Sequence, residues 1–349
     1  MSRLVVTMVG PATSVQDAGR FGAQRYGLTP SGAIDRLALA TANALAGNPP
    51  FTAAIELGPF GATFTAEGGP IRIAVTGASR SIKIDDDRML PLNQSATLMP
   101  GERLLLGAAR EGVFSYLAIE GGIEGEAAFG SLSVNARAGL GSPVPRPLQS
   151  GDHLDVRAAT ERTEHALPLR PPSPDPIRVV LGPQDDEFGD AVKTFLDGTW
   201  TISPTSDRMG YRLQGPVIRH QHGHNIVSDG TVNGSIQVPG NGQPIVLMPD
   251  RGTSGGYPKI ATVIGADFGR FAQMPPGRPF RFAAVSVVEA RRAAIAFAAL
   301  LHDLPARMVD VAHFEFNVAA LQNANVAGSA VNAVDAGTWQ SEPRQDQQP

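Results

Sequence analysis

Apolar residues in this chain recur mostly in short runs with the period of a strand, broken every few residues by Gly, Pro or Asp. The runs Leu4 to Val9, Ala53 to Leu57, Ile71 to Thr76, Ser81 to Ile84, Arg103 to Ala108 and Phe114 to Ile119 predict a meander of short strands in the first half. A second series follows at Ile177 to Leu181, Trp200 to Ser203, Ile245 to Met248 and Ile260 to Ile264. Helical spacing is confined to a few places. Ile34, Leu37, Ala38 and Leu45 share a face, which predicts a helix from Ile34 to Ala46 that Ser31 or Asp35 caps and Gly47-Asn48 ends. Phe188, Val192, Phe195 and Leu196 form a second stripe, with Asp185 as the expected cap, and Ser286 to Leu304 reads as an amphipathic helix.

Between the two series lies "ATERTEHALPLRPPSPDP", residues 159–176, rich in proline and without apolar periodicity, the expected connector between domains. The expected division is therefore a first domain over 1–165, a second over 177–305, and a C-terminal extension with a frayed tail over 306–349. The halves echo one another. "DAGRFG" (Asp17 to Gly22) resembles "SDRMG" (Ser206 to Gly210), and "LMPGERLLL" resembles "QMPPGRPFRF" in the same order, which suggests a duplicated β-rich domain.

Composition narrows the chemistry. With 349 residues, 39 glycines and 29 prolines, the chain fits a turn-rich globular protein of two domains. The net charge of −4 and the absence of any basic stripe argue against nucleic acid as a partner. Without cysteine there is no disulfide, thiol nucleophile or thiolate metal site. The short N-terminal apolar run and the lack of any long one predict a cytoplasmic protein that does not engage a membrane. No phosphate-binding loop, dinucleotide fingerprint, nucleophile elbow or zinc-protease pair occurs. His220, His222 and His224 alternate, as metal ligands can on a strand, but no carboxylate accompanies them and Gly223 loosens the spacing; a solvated loop is expected, and no metal.

The stretch "DRGTSGGYPKIA", from Asp250 to Ala261, is the densest in chemistry. Gly252, Gly255 and Gly256 permit positive φ, so backbone N–H groups could form an anion nest beside Thr253 and Ser254. Tyr257 and Lys259, two apart, would project to one side, where a lysine over a carbonyl and a tyrosine passing a proton could act on a small molecule. A turn braced by Asp250 and Arg251 accounts for the same residues equally well. Neighbouring loops offer Asp207 and Arg208, whose simplest role is a turn salt bridge, and Asp229, Gln237 and Gln243. Arginine matches a carboxylate and glutamine can read an amide.

Four strings together resemble a known family: "SVQDAGRFGAQRYGLTPSGAID", "TANALAGNPPFTAAIELG", "SDRMGYRLQGP" and "GSIQVPGNGQPIVLMPDRGTSGGYPKIATVI". The chain resembles, from about Val5 to Phe282, the family called allophanate hydrolase subunit two, KipA, or the C-type component of biotin-dependent 5-oxoprolinase. The resemblance implies a mainly β fold with a few helices, made of two cyclophilin-like β-barrel domains related by internal duplication. It implies an amide hydrolase subunit, inactive alone, that opens 5-oxoproline to glutamate in an ATP-hydrolysing complex with a KipI or B-type protein and an A-type protein. Two alternatives come with the family: a KipA-like regulator that binds a KipI-type kinase inhibitor, and a carboxyltransferase subunit moving carboxyl from biotin to urea or a similar small amide.

By the same resemblance the pocket holds Lys259, Tyr257 and Asp250 as catalytic groups, with Asp250 orienting Lys259 or Arg251. Arg208, Gln237, Thr253, Gly255 and Gly256 would bind substrate, Arg208 through its carboxylate, and Asp17, Arg20 and Asp35 would be the corresponding polar group of the first half. Gly252 and Ser254 stand where the family pattern has a bulkier polar residue and a second threonine. No lysine sits in an Ala-Met-Lys-Met setting and no ATP-grasp signature occurs, so biotin comes only on a separate carrier and ATP is used by the assembled complex or in a shared pocket.

Overall fold

The computed structural model describes residues 2–169 and 175–311. Met1–Asp310 forms one compact unit and Val311–Pro349 a second, so the expected C-terminal tail and all of the extension beyond residue 311 lie outside the described residues.

Among the described residues the fold is mainly β, with four α-helices. The first half holds two curled sheets. One orders the strands His153–Val156, Ser2–Val9, Ala62–Glu67, Arg103–Leu106, Ile82–Ile84 and Arg88–Met89; the other runs Ser14–Gln16, Ala54–Leu57, Glu111–Ile119, Ile71–Ser79, Gln94–Leu98, His165–Ala166 and Val309–Asp310. Leu4, Phe64, Ile73, Leu104 and Leu117, all at 0% exposure, form the core between them, as alternation along each strand requires. The second half has one seven-stranded sheet: Thr201–Ile202, Gly210–Gln214, Ile245–Leu247, Ser235–Gln237, Lys259–Val263, Ile177–Leu181 and Phe282–Ala284. Its core gathers Trp200, Phe195, Phe271 and Ile260. A small ribbon, Asp229–Gly230 against Ser254–Gly255, stands apart.

The helices follow the sequence expectations with shifted ends. Helix α1, Arg36–Leu45, is capped by Asp35, whose Oδ1 accepts from Leu37 N and Ala38 N at 3.1 Å, and Gly47 ends the turn with φ of 77°. Helix α2 is shorter than its stripe: it covers Ala191–Asp197, and Asp185 opens a separate 3-10 turn, Asp185–Glu187, instead of capping it. Helix α3, Gly265–Ala272, has no counterpart in the apolar pattern; its "GADFGRFA" carries two glycines that weaken any helical signal. Helix α4, Val287–Asp303, begins with a capping box between Ser286 and Glu289, but buries none of its side chains. No helix among the described residues is long and apolar enough to cross a membrane.

The halves meet across α1. Ile34, just before it, belongs to the core of the second half, while its buried alanines pack on Ala74, Tyr116 and Ala118 of the first. Gln273, after α3, accepts from Val113 N and Phe114 N at 2.8 and 3.0 Å and donates to Asp35 Oδ2 and Phe114 O, each at 2.9 Å. All of its amide capacity is thus spent on joining the halves. The repeated sequence has a shared geometry too: Asp17 Oδ1 accepts from Gly19 N at 2.8 Å, and Asp207 Oδ1 from Met209 N at 2.8 Å, the same side-chain turn in each half.

Candidate functional site

Lys259 opens the strand Lys259–Val263 and pairs in register with Gln237. Its side chain is 2% exposed, and Nζ donates to Asp229 Oδ2 at 2.8 Å, while Asp229 itself is half exposed at 54%. A buried ammonium thus reaches toward a carboxylate at the surface. The hydrogen bond from Lys259 leads the effects that hold the Asp229 carboxyl below its ordinary value. Gln184, on the turn after Ile177–Leu181, accepts from Lys259 N at 3.0 Å and fixes the strand end. Tyr257 lies before the strand and is 39% exposed, whereas Lys259 is buried, and Pro258 separates the exposed lead-in from the paired strand.

The glycine loop departs from expectation. None of Gly252, Gly255 and Gly256 has positive φ among the described residues, so no nest is built from left-handed turns here. Ser254 and Gly255 instead pair with Gly230 and Asp229 as a ribbon. Gly255 serves in another way: a Cβ there would sit 2.3 Å from Gln237 Nε2, so the glycine leaves room for that side chain. Gln237, 7% exposed, lies across that glycine and donates to Tyr257 O at 3.4 Å. Thr253 contributes its carbonyl, which accepts from Thr231 N and Gln24 Nε2.

Asp250 orients neither Lys259 nor Arg251. It accepts from Arg208 Nε at 2.8 Å and Nη2 at 3.3 Å. Arg251 turns the other way, onto Thr231 O and Oγ1 and Asn233, and burial pulls its pKa down to about 10. Arg208 also bonds Glu56 of the first half and donates to Gly32 O at 2.8 Å. Burial works against its charge, but Glu56 and Asp250 more than offset that and raise its pKa. With Glu56 also accepting from Tyr116 Oη at 2.6 Å and Ile34 N at 3.0 Å, the result is a buried Glu56–Arg208–Asp250 chain across the two halves. A substrate carboxylate could grip Arg208 with both oxygens only by displacing one of these partners. Desolvation, then Glu56 and Asp35, push the Tyr116 hydroxyl well above its ordinary pKa, so it stays a donor.

In the first half, Asp17 is committed to its own loop: its oxygens accept from Ser131 Oγ at 2.6 Å, Leu132 N at 2.7 Å, Gly19 N and Ser133 Oγ. Arg20 is 1% exposed and bonds Ser133 O. Asp35 is buried at the start of α1, and desolvation raises its pKa despite the bonds from Gln273, Ala38 and Leu37. Gln243 bonds both ways with the backbone of Gly215 and stays outside the cluster. His220 packs on Phe188 and bonds Val238 O at 2.9 Å, while His222 lies 3.5 Å from Glu187.

The family profile described as "Carboxyltransferase domain, subdomain A and B" matches residues 26–284. The chain belongs to that family. It is 37% identical over 294 residues to the C-type component of the Escherichia coli 5-oxoprolinase, covering 83% of this chain and 94% of that protein. It is 28% identical to the urea amidolyase of Saccharomyces cerevisiae over 82% of this chain but 17% of that protein. Among solved structures it resembles the Kluyveromyces lactis urea carboxylase with a TM-score of 0.79 and 26% identity, over 89% of this chain and 30% of the other. Family membership accounts for the two β halves and the loops they share.

Glu56, Tyr116, Gln184 and Gln24 join this cluster without having been singled out by sequence. Glu56 had one signal, a lone carboxylate in the apolar run "AAIEL", where a buried acid needs a cationic partner. The other three carry no local mark, because their partners lie far away in sequence, on the backbone of the second half for Gln184 and Gln24.

Proposed function

We propose that this chain is a subunit of an ATP-dependent 5-oxoprolinase that opens 5-oxoproline to glutamate together with A-type and B-type partners. The observation that carries the reading is the 37% identity to the C-type component of the E. coli 5-oxoprolinase, which spans 94% of that protein. The geometry is compatible with amide chemistry. Lys259 keeps its ammonium out of water and holds two further N–H donors beyond the bond to Asp229, suited to negative charge developing on an amide oxygen. Asp229 orients Lys259 through its hydrogen bond, and Gln237, beside it in register, can read an amide. Tyr257, exposed at the entry to the strand, is the group placed to relay a proton with solvent. ATP is used by the assembled complex.

The test is reconstitution. The chain with its A-type and B-type partners should release glutamate from 5-oxoproline only with ATP, and Lys259→Ala should lower that rate about a hundredfold or more. An unchanged rate in Lys259→Ala would remove Lys259 from the chemistry. A second reading, carboxyl transfer from biotin on a separate carrier to a small amide, is favoured by the carboxyltransferase family match and the likeness to urea carboxylase. It predicts bicarbonate dependence and inhibition by avidin, neither of which ring opening by ATP alone would show.

A further inference from the structure

Among the described residues, buried side-chain atoms without a hydrogen-bond partner occur at Ser2, Gln16, Arg20, Arg72, Asn93 and His165; Arg72 and His165 have an acid within ion-pair distance, whereas Gln16 and Arg20 lie together on one segment without such a partner for the atoms concerned. Arg20 gives one N–H to Ser133 O, yet its Nε and Nη1 have no partner. Gln16, 0% exposed, donates through Nε2 to Val134 O at 3.1 Å and meets Ser14 Oγ at 2.9 Å, yet its Oε1 has no partner. The carbonyl of Val134 fixes the amide's orientation, so the free atom is an acceptor. The two residues anchor on consecutive carbonyls, Ser133 and Val134, and do not satisfy each other. Buried groups left like this are rare in folded proteins and ask for an explanation.

The nearest carboxylates do not supply one. Asp17 is filled by its serines and backbone donors, and Asp250, which acts on Arg20 through its charge, is bonded to Arg208. Arg251, 3% exposed, is likewise buried with neutral acceptors, Thr231 and Asn233. The loop that carries Arg20 is tied to the glycine loop, with Ser31 N donating to Pro249 O at 3.3 Å and Gln24 Nε2 to Thr231 O and Thr253 O at 3.0 and 3.2 Å.

We propose that Arg20 and Gln16 form a binding site for a small molecule bearing a carboxylate next to an N–H, the carboxylate accepting from Arg20 and the N–H donating to Gln16 Oε1. Sulfate, fully ionised, offers no donor to Gln16, whereas phosphate carries an O–H at neutral pH and is the competing ligand to be tested. 5-Oxoproline has its ring N–H and carboxylate on adjacent atoms. As applied to that substrate, the assignment rests on the 5-oxoprolinase reading, and it moves the carboxylate anchor from Arg208, already occupied by two acids, to Arg20. Arg20 is closed off from solvent, so entry requires local opening around it.

The experiment is calorimetric titration of the complex with its A-type and B-type partners, without ATP, using 5-oxoproline, 2-pyrrolidinone and inorganic phosphate. Arg20→Gln should weaken 5-oxoproline about tenfold or more and leave the binding of 2-pyrrolidinone, which lacks the carboxylate, unchanged. Arg20→Lys, which keeps the charge, should lose less, and it decides the matter if Arg20→Gln fails to fold. The proposal is overturned if 5-oxoproline does not bind the unaltered complex, if both variants bind it as the unaltered complex does, if 2-pyrrolidinone is weakened equally, or if phosphate is the ligand that depends on Arg20. Failure of the 5-oxoprolinase reading looks different: the unaltered complex then releases no glutamate with ATP, whatever Arg20 binds.

Discussion

Arg208→Ala is the most informative single substitution for the architecture of this cluster. It removes the guanidinium from Glu56 and Asp250 and the donor from Gly32 O. Glu56 is 1% exposed and would keep Tyr116 Oη and Ile34 N as donors but lose its counter-charge. Removing one partner of a buried pair costs about 3–5 kcal/mol, because the remaining charge is left in a poor solvent. Asp250 is 15% exposed and recovers water, which places the expected loss near the lower end, about 3 kcal/mol. That corresponds to a change of about a hundredfold in the folding equilibrium. Urea denaturation followed by the fluorescence of buried Trp200 reads it, provided the slope with urea stays constant. Glu56→Gln with Arg208→Ala removes both charges of that pair and should be less destabilised than the sum of the two single variants, a coupling of about 1–3 kcal/mol in the double-mutant cycle. A loss below about 1 kcal/mol in Arg208→Ala, or strict additivity in the cycle, would refute the view that Glu56 depends on Arg208 across the halves.

Two further outcomes separate activity from stability and fix a pH dependence. Gly255→Ala places a methyl 2.3 Å from Gln237 Nε2, the far end of a flexible side chain, so stability should fall by less than about 1 kcal/mol while glutamate release by the complex drops; Gly256→Ala, with nothing nearer than 3.5 Å, should leave both unchanged. Equal activity in the two variants would dissociate Gln237 from the site. Burial opposes ionisation of Asp267, but the bonds from Arg178 Nη2 at 2.6 Å, Arg178 N and Arg270 prevail and lower its pKa. Its contribution is therefore complete above the ordinary aspartate range and lost as pH falls through the lowered folded value. Asp267→Asn should cost about 2–3 kcal/mol at neutral pH, discounted because Arg178 is 42% exposed, and denaturation curves should converge with those of the unaltered protein in acid. A difference that widens in acid would reverse the sign of the argument.

How much of this could be read in advance depended on the range of each interaction. Strands with clean alternation, such as Ile177–Leu181, and helices with local caps, such as Asp35 for α1 and Ser286 for α4, carry their instructions within a few residues. The ribbon Asp229–Gly230 with Ser254–Gly255 does not, because it pairs glycine-rich segments whose composition speaks only for turns. Asp185 shows the opposite failure: an acid in a plausible capping position serves a separate turn, because Gly189 interrupts the segment before α2 starts.

The candidate site exposes a deeper limit. Glycine in "DRGTSGGYPK" was compatible with left-handed backbone or with missing Cβ, and local sequence gives both the same letter. Only the position of Gln237, on a different strand, decides for the second at Gly255. The same holds for charge. Asp250, Arg251 and Lys259 look like mutual partners within ten residues, yet each pairs elsewhere, with Arg208, with Thr231 and Asn233, and with Asp229. All three pairs stay within the second half, and of these charged side chains only Arg208 also pairs across to the first, with Glu56. Arg20 and Gln16, on one segment of the first half, keep buried donors and an acceptor without a partner, which is the capacity a molecule from outside would need.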